Sequence, residues 1–356
     1  MYSGEGNNKV IATLFFRCVA VVKFSFYLFL VSSTGIYSSQ LLAAELSVKA
    51  TQSEVSWISI SAPSRDTIWL AGSQGTIGRS TDGGETWSFS KPGSNELEFR
   101  DIEALDDQRA FALSVGEGGN SRVYYTSNAG RSWQLRYRAD SNLFMNCLAV
   151  APSGEALAFA DSYNERWQLI RSADGRNWLN ISNVVDSGPL SGEGGFSASG
   201  NCIQYKNDVW AIGTGNAVTA RVLIKPKFGI RFKVMNTPML AGPMRGITAI
   251  WPRAENDFFI AGGDLSEAQS QPQVMHFNAG EFTTLPTPPL QGAIYSLSLN
   301  GEQLLVSNPS GAAIGSLTGE NWQKLTSENV WATQCTEHQR CYLAGKNGYF
   351  ASFELP

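Results

Sequence analysis

The chain has 356 residues and a formal net charge of −4, from 27 Lys and Arg against 31 Asp and Glu. This acidic balance argues against a nucleic-acid partner, because binding a phosphate backbone requires a dense basic surface. Hydrophobic residues make up 43% and aromatic residues 11% of the chain, which fits a well-packed protein and excludes a largely disordered one.

The first 44 residues have the pattern of a targeting segment. Basic residues precede an apolar stretch at 24–36, and small residues for cleavage follow at 41–44. The basic residues are Lys9, Arg17 and Lys23. We predict that residues 1–44 are a signal peptide, or alternatively an uncleaved signal anchor. Residues 45–356 are then one domain exported to a periplasm or a lumen-like compartment.

An octapeptide repeat is the strongest structural signal in the chain. Residues 80–87 read S-T-D-G-G-E-T-W, and weaker copies follow at 126–133 and 172–178. Their Trp residues are 46 and then 45 residues apart. A repeat in the forties with Gly-rich turns and a fixed aromatic residue is typical of a β-propeller, in which each repeat forms one four-stranded blade.

The octapeptide resembles the Asp-box, or bacterial neuraminidase repeat, and its residue types predict a structural role. The side-chain oxygen at its third position can accept backbone N–H bonds across the turn between two outer strands. The Trp ring can lie between neighbouring sheets, where its large apolar area is buried. In the fourth blade, residues 227–232 replace the turn but keep an aromatic residue at the Trp position. This structural set comprises Asp82, Trp87, Asn128, Trp133, Asp174 and Trp178.

Seven apolar runs that end in small residues and a polar turn mark one strand in each blade. The runs are 68–73, 110–114, 156–161, 209–215, 258–264, 304–308 and 341–345. We therefore predict an all-β fold, a seven-bladed β-propeller of four-stranded antiparallel blades. Because the last blade lacks an outer strand after residue 353, we expect the N-terminal strand at 46–50 to pair into it and close the ring.

Four cysteines remain after the predicted targeting segment, and an even number in an exported chain indicates disulfides. Cys335 and Cys341 flank a short polar turn between two predicted strands, so we expect a disulfide across that hairpin. Cys147 and Cys202 fall near the inner strands of consecutive blades. Either they pair with each other or each is a buried free thiol.

Loops that share one face of a propeller are the expected place for binding residues, because a rigid scaffold positions them. The longer polar loops on that face are 116–121, 161–167, 213–221 and 263–273. We expect their side chains, with two arginines from the connections between blades, to ring the mouth of the central channel. The candidate binding residues are Arg100, Asp161, Asn164, Arg166, Asn216, Arg221, Arg245 and Asp264.

Further segments carry a resemblance to a known family. They are 57–59, 68–80 with the octapeptide, 196–200, 213–216 with 220–222, 261–264 and 343–348. Together, and over the whole mature chain, they resemble the photosystem II stability and assembly factor family, and more closely its bacterial relatives outside photosynthesis. The resemblance implies a monomeric, non-catalytic scaffold or assembly factor without a cofactor. Its partner would be a membrane-associated protein client on the periplasmic or lumenal side.

Two enzyme classes remain as alternatives. Asp-boxes also occur in glycoside hydrolases of the sialidase type, which need three arginines around a carboxylate and a Tyr nucleophile. The candidates for these roles are Arg100, Arg221, Arg245 and Tyr295. Quinone-dependent oxidoreductase propellers carry a Trp in each blade, in a different sequence context. Because no nucleophile and base are recognisable and the two histidines lack metal-ligand spacing, we favour a protein without catalysis and without a metal.

Overall fold

Seven four-stranded antiparallel sheets form a ring in the computed structural model, which describes residues 45–140, 142–336 and 339–355. The predicted all-β, seven-bladed propeller is therefore confirmed. The predicted targeting segment, residues 1–44, lies outside the described residues. In the described part of the chain, no helix is long and apolar enough to cross a membrane.

Each blade consists of an inner strand a, followed by strands b, c and d toward the rim. The N-terminal strand is β1 (Ser47–Ala50). Blade one contains β2 (Trp57–Ser61), β3 (Ile68–Gly72), β4 (Ile77–Ser80) and β5 (Ser88–Ser90). Blade two contains β6 (Glu98–Ala104), β7 (Ala110–Val115), β8 (Arg122–Thr126) and β9 (Gln134–Arg138). Blade three contains β10 (Met145–Val150), β11 (Ala156–Tyr163), β12 (Arg166–Ser172) and β13 (Trp178–Asn180).

The remaining blades follow in chain order. Blade four contains β14 (Ile203–Lys206), β15 (Val209–Gly213), β16 (Arg221–Pro226) and β17 (Lys233–Asn236). Blade five contains β18 (Arg245–Ala254), β19 (Asp257–Asp264), β20 (Gln273–Asn278) and β21 (Glu281–Thr284). Blade six contains β22 (Ser296–Asn300), β23 (Gln303–Asn308), β24 (Gly311–Ser316) and β25 (Gln323–Thr326). Blade seven contains β26 (Val330–Cys335), β27 (Arg340–Gly345) and β28 (Tyr349–Glu354). Short 3-10 turns occupy Gly118–Asn120, Ser182–Val184 and Lys346–Gly348.

The b strands are the apolar runs of the sequence, and the structure explains why they are apolar on both faces. Every residue of β3, β7 and β15 is buried. A b strand lies in the middle of its blade with another blade on each side, so neither of its faces meets water. Large side chains from adjacent blades fill the gaps between sheets, and they include Trp57, Trp69, Trp167 and Trp210.

The ring is closed by the N-terminal strand, as predicted. β1 pairs antiparallel with β28, with a register that runs from Ser47 opposite Ser352 to Ala50 opposite Tyr349. Blade seven is thereby completed by residues from both ends of the propeller. This pairing satisfies the backbone edge of β28, which would otherwise be open to another chain.

The octapeptide turns join strands c and d and are held by their third residue. The Asp82 carboxylate accepts hydrogen bonds from the hydroxyl and the backbone N–H of Thr86, at 2.6 and 2.9 Å. These bonds lower the pKa of Asp82. Asp174 accepts two backbone N–H groups in the third copy, and Asn128 accepts that of Ser132 at 3.0 Å. The turn residues are thus occupied with their own backbone.

The Trp residue that follows each of these turns packs against the preceding blade. Its ring lies edge-on to an aromatic ring there, an arrangement that favours the interaction of two π systems. The centroid distances are 5.0 Å for Trp87 and Phe350, 6.0 Å for Trp133 and Trp69, and 6.4 Å for Trp178 and Phe111. In blade four the equivalent aromatic residue, Phe232, is fully buried.

Two disulfides link neighbouring strands. Cys335 and Cys341 join β26 to β27 across their hairpin, with Cα atoms 4.0 Å apart. Cys147 and Cys202 are also paired, with Cα atoms 5.9 Å apart and a sequence separation of 55. The second bond connects the inner strand of blade three to the start of blade four. Of the two alternatives for Cys147 and Cys202, the structure therefore contains the disulfide.

Candidate binding face

The two ends of the propeller differ in the chain segments that form them. The b–c loops and the d–a connections between blades lie at one end, which we call the loop face. The a–b and c–d turns, including the octapeptide turns, lie at the other end, the turn face. The candidate binding residues from the sequence therefore belong to the loop face. The structure distributes them over several distinct environments.

Arg100 and two aromatic residues occupy the mouth of the channel on the loop face. The guanidinium carbon of Arg100 lies 5.6 Å from the centre of the Trp331 ring, and its Nη1 donates to the carbonyl of Ser197 at 3.2 Å. Trp331 packs edge-on against Tyr295, with centroids 5.8 Å apart. Burial lowers the pKa of Arg100 and raises that of Tyr295. Within the described residues, Arg100 makes no ion pair, so most of its donors have no acceptor there.

A segment that connects blades three and four crosses this mouth. The Asn201 side-chain oxygen accepts hydrogen bonds from the Ser296 hydroxyl at 2.8 Å and the Leu297 backbone at 3.0 Å. Its backbone carbonyl accepts from Ile250. The Ser199 hydroxyl donates to the carbonyl of Tyr295. Residues 196–201 thus tie blades five and six together and cover the channel, a role that no pattern in this segment of the sequence predicted.

Arg245, Asp264 and Asn216 come together where blades four and five meet. Arg245 Nε donates to the Asp264 carboxylate at 2.7 Å. A hydrogen bond from the Ser266 hydroxyl and the contact with Arg245 lower the pKa of Asp264. The Asn216 side chain accepts from the backbone of Met244 at 3.0 Å. The b–c loop of blade four is therefore fixed to the connection that leads into blade five.

Exposed apolar side chains stand on these fixed loops. The exposed fraction is 87% for Val218, 40% for Leu240 and 48% for Met244. On the same face, a cavity of about 260 Å³ opens between Asp264, Tyr295 and the loops of blades five and six. Exposed apolar side chains beside a polar rim can provide contact area for a partner. No pattern in the sequence distinguishes these three residues.

Arg221 is buried and lies away from the solvent-exposed rim where the sequence placed it. Only 6% of its side chain is exposed, and it forms a bidentate ion pair with Glu193, whose side chain is fully buried. Its Nη2 also donates to the carbonyl of Gly188 at 2.9 Å. The Thr214 hydroxyl donates to the same carboxylate at 2.7 Å. Arg221 therefore holds the connection between blades three and four against blade four.

The three candidate binding residues from blade three lie apart from the other candidates. The half-buried Asp161 carboxylate accepts from the Asn146 side chain at 2.8 Å and from the backbone of Gly195 at 3.2 Å. Burial raises the pKa of Asp161, and the hydrogen bond from Asn146 offsets part of this increase. Asn164 and Arg166 are exposed at the β11–β12 hairpin. They line a cavity of about 710 Å³ that reaches the rim of blade three rather than the channel.

The opposite mouth, on the turn face, is a wider opening of about 940 Å³. Glu103 and Lys206 face it from inner strands, and the Lys206 ammonium lies 5.0 Å from the centre of the Trp251 ring. Burial raises the pKa of Glu103 to about 7, and Lys206 acts against this increase. The Glu103 carboxyl therefore keeps its proton to a higher pH than an exposed carboxyl does.

The loop face presents side chains that can make binding contacts. The three arginines that a sialidase-type site would need have different partners: Glu193 for Arg221, Asp264 for Arg245 and Trp331 for Arg100. In the described ranges, no group of three or more His, Cys, Asp or Glu residues is placed to hold a metal ion. Arginine, aromatic and exposed aliphatic side chains are the types that dominate protein–protein contacts.

Comparison with known proteins gives structural matches only. No protein-family model matches the chain, and no curated protein matches its sequence. A structure titled YCF48 bound to D1 peptide matches with a TM-score of 0.64 and 11% identity, over 89% of this chain and 96% of the other. YCF48 from Cyanidioschyzon merolae matches with a TM-score of 0.60 and 13% identity, over 87% and 98%.

A third match is the WD40 domain of Neurospora crassa Pan2, with a TM-score of 0.60 and 12% identity over 84% of this chain and 89% of the other. At these identities the likeness concerns the fold alone. The chain is thus similar in fold to YCF48, a photosystem II assembly factor, and to a WD40 propeller.

Proposed function

We propose that this protein is a non-catalytic scaffold that binds a protein client through its loop face. The observation that carries the proposal is an arc of contact residues across blades four to seven and the channel mouth. We call it the loop-face arc. It consists of Val218, Leu240, Met244, Arg245, Asp264, Tyr295, Trp331 and Arg100.

The composition of the arc suits a polypeptide. Its aliphatic side chains offer apolar area, and the cavity of about 260 Å³ beside Tyr295 is large enough for one client side chain. Arg100 supplies N–H donors for a client carbonyl or carboxylate, and its stacking on Trp331 fixes it in advance. The hydrogen bonds of Asn216 and residues 196–201 hold the arc in place. Little conformational entropy is therefore lost when a client binds.

The structural neighbours support the proposal that the partner is a protein, without indicating which protein. YCF48 is a propeller of similar fold with a D1 peptide bound, and WD40 domains are propellers of the same architecture. We propose, with the resemblance seen in the sequence, that the client here is a membrane protein or a periplasmic protein. The identity of the client does not follow from the fold.

We also propose that the protein works in an exported compartment after cleavage near residues 43–45. Two disulfides support this, because such bonds persist in oxidising compartments and are rare in a reducing cytosol. Sequencing the N-terminus of the protein from its native source tests the proposal. Recovery of the intact N-terminus in a cytosolic fraction would contradict it.

Affinity capture with matched variants tests the binding face. We expect Met244→Ser together with Arg245→Ala to reduce recovery of a membrane-fraction client at least tenfold, because contact residues at an interface centre carry most of the affinity. Leu179→Ser with Arg166→Ala is the control, since Leu179 is 70% exposed on blade three outside the arc. Equal recovery by both pairs, with unchanged thermal midpoints, would refute the loop face as the binding surface.

A further inference from the structure

Positive charge is concentrated in one stretch of this acidic chain. Residues 209–254 contain seven Lys and Arg and no Asp or Glu, whereas the rest of the chain carries 20 of the 27 basic residues and all 31 acidic ones. The stretch covers strands b to d of blade four and the inner strand of blade five. Four of its cations, Lys225, Lys227, Arg231 and Lys233, lie in or directly beside a single turn.

That turn, residues 227–232 between β16 and β17, carries two of the most exposed apolar side chains in the described chain. Phe228 is 91% exposed and Ile230 is 87% exposed. We call this turn the blade-four tip. It takes the place of the octapeptide turn on the turn face, and therefore lies at the opposite end of the propeller from the loop-face arc. Side chains so exposed stand on a convex surface rather than in a groove.

Backbone hydrogen bonds hold the blade-four tip in place. The N–H of Gly229 donates to the carbonyl of Pro226 at 2.8 Å, and the N–H of Lys227 donates to that of Asp208 at 2.6 Å. At the other end, Phe232 is buried and its N–H donates to Val184. These contacts hold the backbone on both sides of Phe228 and Ile230, whose exposed side chains present apolar surface to water at a cost in free energy.

The cations around the tip are only partly neutralised. Lys227 and Lys233 pair with Asp208 and Glu255, in exposed contacts of the kind that contribute little in water. Lys225 and Arg231 instead donate to backbone carbonyls, those of Gly229 and Val185, and have no carboxylate within ion-pair distance among the described residues. The apolar tip is thus surrounded by side chains that can reach negatively charged groups.

We propose that the blade-four tip docks the propeller on an anionic lipid bilayer, with Phe228 and Ile230 entering the boundary between headgroups and acyl chains. A convex apolar tip with flanking cations matches this partner, since the bilayer accepts apolar side chains in its interface and attracts Lys and Arg at its surface. A protein partner would need a concave pocket to cover the tip. Docking through the turn face leaves the loop face free, so the inference does not depend on the proposed client.

A label on the tip itself tests insertion in the full chain. Phe228→Cys, with Cys18→Ser so that the label attaches only at position 228, is coupled to a polarity-sensitive fluorophore and mixed with vesicles of phosphatidylglycerol and phosphatidylcholine. We expect a blue shift and at least threefold protection from iodide quenching. The same label at Val218, equally exposed but on the loop face, stays accessible. Because the signal comes from one position, attachment through residues 1–44 cannot imitate it.

Vesicle co-sedimentation gives a second measurement. We expect Phe228→Ser with Ile230→Ser to weaken binding at least tenfold, because two large apolar side chains leave the interface. Lys225→Gln with Arg231→Gln should weaken it on the order of tenfold on anionic vesicles and little on neutral ones. Leu179→Ser, at an exposed position outside both the tip and the loop-face arc, is the control. A tip label that stays fully quenchable on anionic vesicles overturns the proposal, as does tip-variant binding equal to that of the control.

Discussion

The buried ion pair of Arg221 and Glu193 predicts a large and specific loss of stability. Changing Arg221 to Ala leaves a fully buried carboxylate whose remaining partners are the Thr214 hydroxyl and the Leu190 N–H. Removing one partner of such a pair typically costs about 3–5 kcal/mol, because the other charge stays buried without compensation. The cost belongs to the unpaired carboxylate, so Arg221→Ala with Glu193→Gln should recover a large part of it.

The expected loss of stability is measurable as a decrease in the midpoint temperature of thermal unfolding. For about 310 folded residues, an unfolding entropy of about 2.1 cal/mol/K per residue gives about 0.65 kcal/mol/K. A loss of 3–5 kcal/mol then lowers the midpoint by about 5–8 °C. Circular dichroism of the wild type and variants, with urea unfolding as a cross-check, provides the measurement.

A matched control separates burial from charge loss. Arg171 pairs with Glu155 at 2.6 Å, but both side chains are partly exposed, at 43% and 28%. Arg171→Ala should therefore cost less than about 1 kcal/mol. If the two Arg→Ala variants lose the same stability, or if Glu193→Gln fails to rescue Arg221→Ala, then the Arg221 pair is not the buried structural contact described here.

Three further predictions concern other parts of the ring. Because burial raises the pKa of Glu103 to about 7, the folded state holds a proton that the unfolded chain releases near pH 4.5, so stability should fall as pH rises from 4.5 through 7. Glu103→Gln should reduce that fall and stabilise the protein by about 1–3 kcal/mol at pH 8, and Asp101, whose pKa burial also raises, accounts for the part that remains; an unchanged pH profile contradicts this. Trp133→Ala should cost about 3 kcal/mol through lost packing on Trp69, with exposed Leu135→Ala as a silent control in urea unfolding. Replacing Cys147 and Cys202 with Ala should cost about 4 kcal/mol, against about 2 kcal/mol for Cys335 and Cys341, because the first bond closes the longer loop; the reverse order would refute the loop argument.

The blades could be predicted from the sequence because their signals are local. An apolar run such as β3 and a turn such as residues 80–87 each specify their structure within a few residues, and repetition then fixes the ring. The missing outer strand of blade seven could be inferred by the same counting. Pairing β1 with β28 required only that one strand was left over before blade one and one strand was missing from blade seven.

The candidate site could be predicted less well because it depends on contacts across the chain. Arg221 has the charge of an exposed loop residue, and only its distant partner Glu193 shows that it is buried. Residues 196–201 close the channel through bonds to blades five and six, which no local pattern encodes. The exposure of Met244 and Phe228 likewise follows from how turns project from the folded ring.

Photocrosslinking from the loop-face arc tests the central claim most directly. A benzophenone amino acid at Met244 is compared with the same residue at Leu179, which is exposed outside the arc. Both proteins are irradiated with the native membrane fraction. We predict one predominant protein adduct at position 244, suppressed by Arg245→Ala, and none of that product at position 179. The same adducts in equal yield at both positions would contradict binding through the loop face.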